Sequence, residues 1–84
     1  MRRGRKRRIA VLGHVRRVQV RREAARLRTR LARRGLEVRL EEHLAREMGL
    51  DGYPLPALSR WCDLLITLGG DGTVLAGARA MASP

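Results

Sequence analysis

With 84 residues the chain is one small domain or part of one, and a chain of this size buries only about two-thirds of its unfolded surface. Hydrophobic residues make up 44% of it and aromatic residues 2%, so Leu, Val, Ile and Ala must form the core without large aromatic anchors. A net charge of +11 would ordinarily point to a nucleic acid or an anionic surface, but of the 19 basic residues all except Lys6 are arginine, a bias that a GC-rich gene produces without any polyanion partner. Cys62 stands alone, which excludes an internal disulfide and a multi-cysteine metal site. No apolar run approaches the roughly 20 residues that span a bilayer, and Ile9 to Gly13 is too short for an export signal, so a soluble, cytoplasmic protein is expected.

Residues 1–8 carry six basic side chains and nothing to bury beyond Met1, and read as a disordered basic arm that attracts nucleic acid only non-specifically. Ile9 to Gly13 is a continuous apolar run ending in glycine, the pattern of a central strand in a parallel sheet. His14 follows at the turn, where such a sheet opens toward ligand or solvent. From Val15 to Arg34 the apolar positions Val20, Ala24, Leu27 and Leu31 recur at helical spacing under an arginine-rich face, and Gly35 stands where a left-handed C-cap residue is wanted.

Leu36, Val38 and Leu40 alternate with Glu37 and Arg39, so the second strand is half exposed and belongs at a sheet edge. Glu41 to Met48 reads as a short helical turn. Gly49 to Pro56 holds Gly49, Gly52, Pro54 and Pro56 and reads as a loop. Leu58 to Cys62 then leads through Asp63 into a third strand, Leu64 to Leu68. The pattern is α/β: a three-stranded parallel, Rossmann-like partial sheet in the order second, first, third, with the ends of the first and third strands on one carboxyl edge.

At that edge lies L-G-G-D-G-T-V-L, Leu68 to Leu75. Gly69, Gly70 and Gly72 can adopt positive φ and let a ligand approach the backbone, and Thr73 is placed to cap a helix over Val74 to Ala82 whose first amides would face an anion. Asp71 is foreign to a pure phosphate cradle, because a carboxylate repels polyphosphate. It fits if it binds a cation bridging the phosphates or takes a proton from an attacking hydroxyl. The competing reading is a β-hairpin around Asp71-Gly72, which would need alternation downstream. Val74, Leu75, Ala78, Met81 and Ala82 fall at helical spacing instead.

The string G-G-D-G-T after an apolar strand resembles the signature of the NAD kinase and diacylglycerol kinase superfamily. The opening strand, the arginine-rich helix, L-E-V-R-L and D-L-L-I-T-L-G-G-D-G-T-V-L-A-G-A-R resemble the amino-terminal segment of bacterial NAD kinases in particular, over about Arg8 to Ala82. The resemblance implies transfer of a phosphoryl group from ATP, or polyphosphate, to the 2′-hydroxyl of the adenosine ribose of NAD, with a divalent cation such as magnesium between the phosphates. It implies Asp71 as proton acceptor, and Gly69, Gly70, Asp71, Gly72 and Thr73 as nucleotide contacts. It further implies that residues 9–84 are the amino-terminal α/β part of a domain whose second motif and all-β carboxyl-terminal domain are not in these 84 residues, that the 84 residues alone do not catalyse, and that full-length relatives form homo-oligomers. Ala76 replaces a basic or bulky residue of many relatives. Two other readings compete. A lipid kinase of the diacylglycerol or sphingosine type would use the same turn, and a basic nucleic-acid-binding module would treat it as incidental and lean on Tyr53 and Trp61 for stacking.

Overall fold

The computed structural model describes residues 7–14 and 17–82, with the backbone alone at Asp71. Strands β1 (Arg8–Gly13), β2 (Glu37–Leu40) and β3 (Leu64–Leu68) form one parallel sheet in the order β2-β1-β3. The helices are α1 (Val18–Arg33), α2 (Glu42–Glu47), α3 (Leu55–Trp61) and α4 (Asp71–Ala82). The expected α/β class, strand order and edge position of the second strand are all present.

β1 is central because it can be buried on both faces, and Ile9, Ala10, Val11 and Leu12 are buried accordingly. The core around it joins Val11 to Val20 and Ala24 of α1, Leu40 of β2, and Leu44 and Ala45 of α2. The basic arm expected over residues 1–8 lies outside the described residues as far as position 6. Its last two members are already in the sheet's hydrogen bonding: Glu37 N–H donates to the Arg7 carbonyl at 2.9 Å, and Asp63 N–H donates to the Arg8 carbonyl at 2.8 Å. The Arg8 N–H returns a bond to the Asp63 carboxylate at 2.8 Å, so this acid ties the start of β3 to the start of β1.

α1 begins at Val18 and not at Val15 as expected, because Arg17 is extended (φ −97°, ψ 120°) and stands as its N-cap; residues 15 and 16 fall outside the described residues. Its end follows the sequence closely. Gly35 takes φ 81°, its N–H donates to the Ala32 carbonyl at 3.0 Å, and the Leu36 N–H reaches back to the Leu31 carbonyl at 3.1 Å, a Schellman cap. α2 closes the same way, with Gly49 at φ 70° bonded to the Arg46 carbonyl and Leu50 to that of Ala45.

Two expectations about the middle of the chain need correcting. The loop read over Gly49 to Pro56 ends at Pro54, and a helix, α3, starts at Leu55, because Pro56 falls in its first turn where no amide bond is lost. Gly52 is a close-approach residue rather than a breaker: a Cβ there would lie 2.6 Å from the Ala45 Cβ and 2.7 Å from the Glu42 Cα. That fit brings Tyr53 alongside β2, where its N–H donates to the Leu40 carbonyl at 3.0 Å and its carbonyl accepts from Glu42 N–H at 2.9 Å.

Tyr53 and Trp61, the candidates for stacking on nucleic-acid bases, are occupied within the fold. The Arg39 guanidinium lies 4.4 Å from the Tyr53 ring centre and 4.3 Å from that of Trp61, and Arg8 lies 5.7 Å from Trp61. Cys62, at the end of α3, donates to the Met81 sulfur at 3.8 Å. Burial raises its pKa above the ordinary 9.0, with Asp63 adding to the effect and a backbone hydrogen bond opposing it, so it sits as a packing thiol.

Candidate functional site

Parallel pairing brings Gly13 opposite Leu68, so both strands end together at the carboxyl edge. The His14 N–H donates to the Leu68 carbonyl at 3.0 Å and extends this pairing by one bond past β1. The chain runs from β1 through α1 to β2 on one side, then crosses to β3 on the other. The ends of β1 and β3 therefore flank the point where the sheet's connections reverse, the crevice in which open α/β sheets hold ligands.

Gly69 leaves β3 at φ 137°, a conformation that a side chain would strain. Space forbids a side chain there as well. A Cβ would stand 2.9 Å from the His14 Cβ and 3.1 Å from the Thr73 hydroxyl oxygen, so His14 and Thr73 close over the glycine from two sides. Gly70 and Gly72 differ from the expectation: neither has positive φ, and a Cβ at either would meet nothing within 4 Å. They border open space at the turn, leaving room for an occupant rather than satisfying a backbone requirement.

α4 begins at Asp71, three residues earlier than expected. Thr73 is therefore not the residue before the helix but lies within its first turn. Its N–H donates to the Gly70 carbonyl at 3.0 Å, and the Val74 N–H reaches the same carbonyl at 3.3 Å. The amides of the first helical residues and the positive end of the helix dipole thus border Gly70. Asp71 and Gly72 open the helix at this point. α4 is seated on β3 through the buried Gly77, where a Cβ would lie 2.8 Å from the Thr67 Cγ2 and 3.1 Å from the Leu65 Cδ2. The helical spacing of Val74, Leu75, Ala78, Met81 and Ala82 did not single out Gly77.

Beside the turn, a cleft of about 600 Å³ opens between the end of β1 and the starts of α2 and α3, lined by Leu12, Gly13, His14, Glu41, Glu42, His43, Leu55 and Pro56. Its lining includes Glu41, only 4% exposed, which the sequence pattern placed at the start of a short helical turn. The carboxylate caps α2, accepting from the His43 N–H at 3.0 Å and the Leu44 N–H at 3.2 Å, and it meets the His43 Nδ1 at 2.5 Å. Glu41, Glu42 and His43 present ligand atoms within 4.8 Å of one another. The Glu41 oxygens are already spent on the cap, which leaves this group a poor cation cage.

No protein-family model matches the chain. Individual relatives do. It is 39% identical over 79 residues to the NAD kinase of Pseudomonas syringae pv. syringae, covering 90% of this chain and 27% of that protein. It is 38% identical over 77 residues to the NAD kinase of Burkholderia lata, covering 88% and 26%. With the NAD kinase of Solibacter usitatus the identity is 44% over 52 residues, 61% of this chain and 18% of that one. The chain spans about a quarter or less of the length of these relatives. Over nearly all of its own length, then, the chain is similar in sequence to part of these NAD kinases.

Proposed function

We propose that this chain supplies the phosphate-binding turn and the proton acceptor of an NAD kinase, which transfers the terminal phosphoryl group of ATP to the 2′-hydroxyl of the adenosine ribose of NAD. The observation that carries this reading is the Gly69-Gly70 turn at the crevice between β1 and β3, open above Gly70 and Gly72 and followed directly by α4. The similarity to NAD kinases over nine-tenths of the chain supports it.

In this reading the backbone at Gly69, Gly70 and Gly72 admits a phosphate-bearing ligand to within hydrogen-bonding reach, and the first amides of α4 offset its negative charge. Thr73 contributes its hydroxyl at the turn. Asp71 holds the ribose hydroxyl and accepts its proton as the oxygen bonds to the terminal phosphorus. The bond from that phosphorus to its bridging oxygen breaks, and ADP leaves with the electron pair. A divalent cation, magnesium by the family's pattern, neutralises phosphate charge when bound. The cation, the choice between ATP and polyphosphate, the homo-oligomer and the cytoplasmic setting all belong to this reading. No described helix is long and apolar enough to cross a membrane.

The test is Asp71→Asn in a chain joined to the polypeptide that follows the matched segment in the relatives. Turnover should fall by about 10² to 10⁴, the usual contribution of a general base, while NAD affinity stays within about tenfold. Turnover within a few-fold of the parent would remove Asp71 from the role of proton acceptor.

A further inference from the structure

His14 is bound into the turn from the far side of the crevice, and nothing in the reaction above uses it. Its backbone is fixed by the bond to Leu68, and its Cβ packs against Gly69 so closely that glycine is required there. Its side chain is half-buried and lines the cleft. Within the ring, Nδ1 is shielded from solvent and has no hydrogen-bond partner among the described residues. A buried donor without an acceptor costs more than a bare lone pair, so the ring is best accommodated with Nδ1 unprotonated and the proton on Nε2. Nε2–H is then the donor that the His14 ring has to offer.

We infer that His14 is a positioning residue for the phosphate held at the glycine turn, its Nε2–H donating to a phosphate oxygen from the β1 side while the first amides of α4 donate from the β3 side. This rests on the reading of the turn given above and adds a second wall to it. The chemistry of the surroundings places the phosphate here and not deeper in the cleft. Glu42 and the Glu41–His43 pair occupy the opposite wall at the start of α2, and a phosphate moved toward them would meet carboxylates. Between His14 and Gly70 the amides that open α4 offer donors. A buried Nδ1 without a partner among the described residues is a cost to the fold, which suits a side chain kept for a ligand.

The chain contains only His14 and His43, so each imidazole can be assigned and one serves as control for the other. The experiment is a titration of the ¹⁵N-labelled chain with inorganic pyrophosphate, following the amides of Gly69, Gly70 and Gly72 and the ring nitrogens of both histidines. The glycine amides and the His14 Nε2 should move with one midpoint while His43 stays still. His14→Gln, which keeps a donor near the Nε2 position, should bind pyrophosphate within about twofold of the parent, and His14→Ala should bind about tenfold more weakly with an unchanged thermal midpoint. Glycine amides that move while His14 Nε2 does not, or a His14→Ala variant that binds like the parent, would overturn the assignment and leave the turn intact. Glycine amides that stay still at millimolar pyrophosphate would overturn the reading of the turn and the role of His14 with it. For a chain whose signals are too broad to follow, the pyrophosphate-dependent rise in thermal midpoint of the parent and the two variants decides between the same outcomes.

Discussion

The two halves of the sheet are built to different standards. On the β2 side, β1 is covered by α1 and α2, and Val11, Ala24, Leu44 and Ala45 have no exposed surface. On the β3 side, all five strand residues keep some exposure despite the apolar run Leu64 to Leu68, with Leu64 53% exposed, and α4 shows Val74, Leu75 and Met81 to solvent. β2's outer side is joined by Tyr53, whereas β3 ends the sheet. The proposed ligand turn sits on the thinner half. Elements that bind and release ligands are drawn from the less stable parts of a fold, and here the difference is visible in burial alone.

The comparison breaks most easily by paired truncations. Leu44→Ala, at a fully buried side chain, should cost about 2–5 kcal/mol, enough to unfold a chain of this size, while Leu75→Ala should change stability by less than about 0.5 kcal/mol. Urea denaturation followed by circular dichroism measures both. Equal losses would mean that the two halves share one core.

A smaller effect is expected where the thin half is held. Gly77→Ala places a methyl 2.8 Å from the Thr67 Cγ2, so α4 must lift from β3 at a cost of about 1–3 kcal/mol. Amide exchange should quicken along α4 and β3 and stay slow in β1 and α1. Uniform quickening would show that α4 does not open separately.

The smallest test lies on the thick half. Glu41→Ala removes the acceptor for two α2 amides and should cost about 1–2 kcal/mol, with faster exchange at His43 and Leu44. No change at those amides would mean that water replaces the cap without loss.

What was legible in the chain follows the same division of causes. β1 and β3 announce themselves by apolar runs, α1 and β2 by hydrophobic period, and Gly35 by its place after an arginine-rich last turn, because these signals lie within a few residues of one another. Gly52 was misjudged and Gly77 passed over because their reason is a neighbour on another element, Ala45 in one case and Thr67 in the other. α3 was hidden by Pro54 and Pro56, which break a helix in its middle but not at its start. At the site, the Gly69 to Thr73 spacing could be read directly, whereas the start of α4 at Asp71 could not, since the apolar spacing begins only at Val74. The packing of His14 on Gly69 depends on the β1–β3 register, which neither segment contains by itself.

That register also bears on the order in which the molecule comes together. Ile9 pairs with Val38 through a short α1 crossover, while its partner on the other side, Leu64, lies much further along the chain. Loop closure grows costlier with length, by about 0.6 kcal/mol for each doubling, and the β1–β2 pairing also gains the better-buried core. Folding is therefore favoured to begin with β1, α1 and β2 and to finish with the docking of β3. The crevice between β1 and β3 does not exist until that last step, so a phosphate bound there would act as a latch on the final strand, slowing its departure while leaving the first half of the fold to form at its own pace.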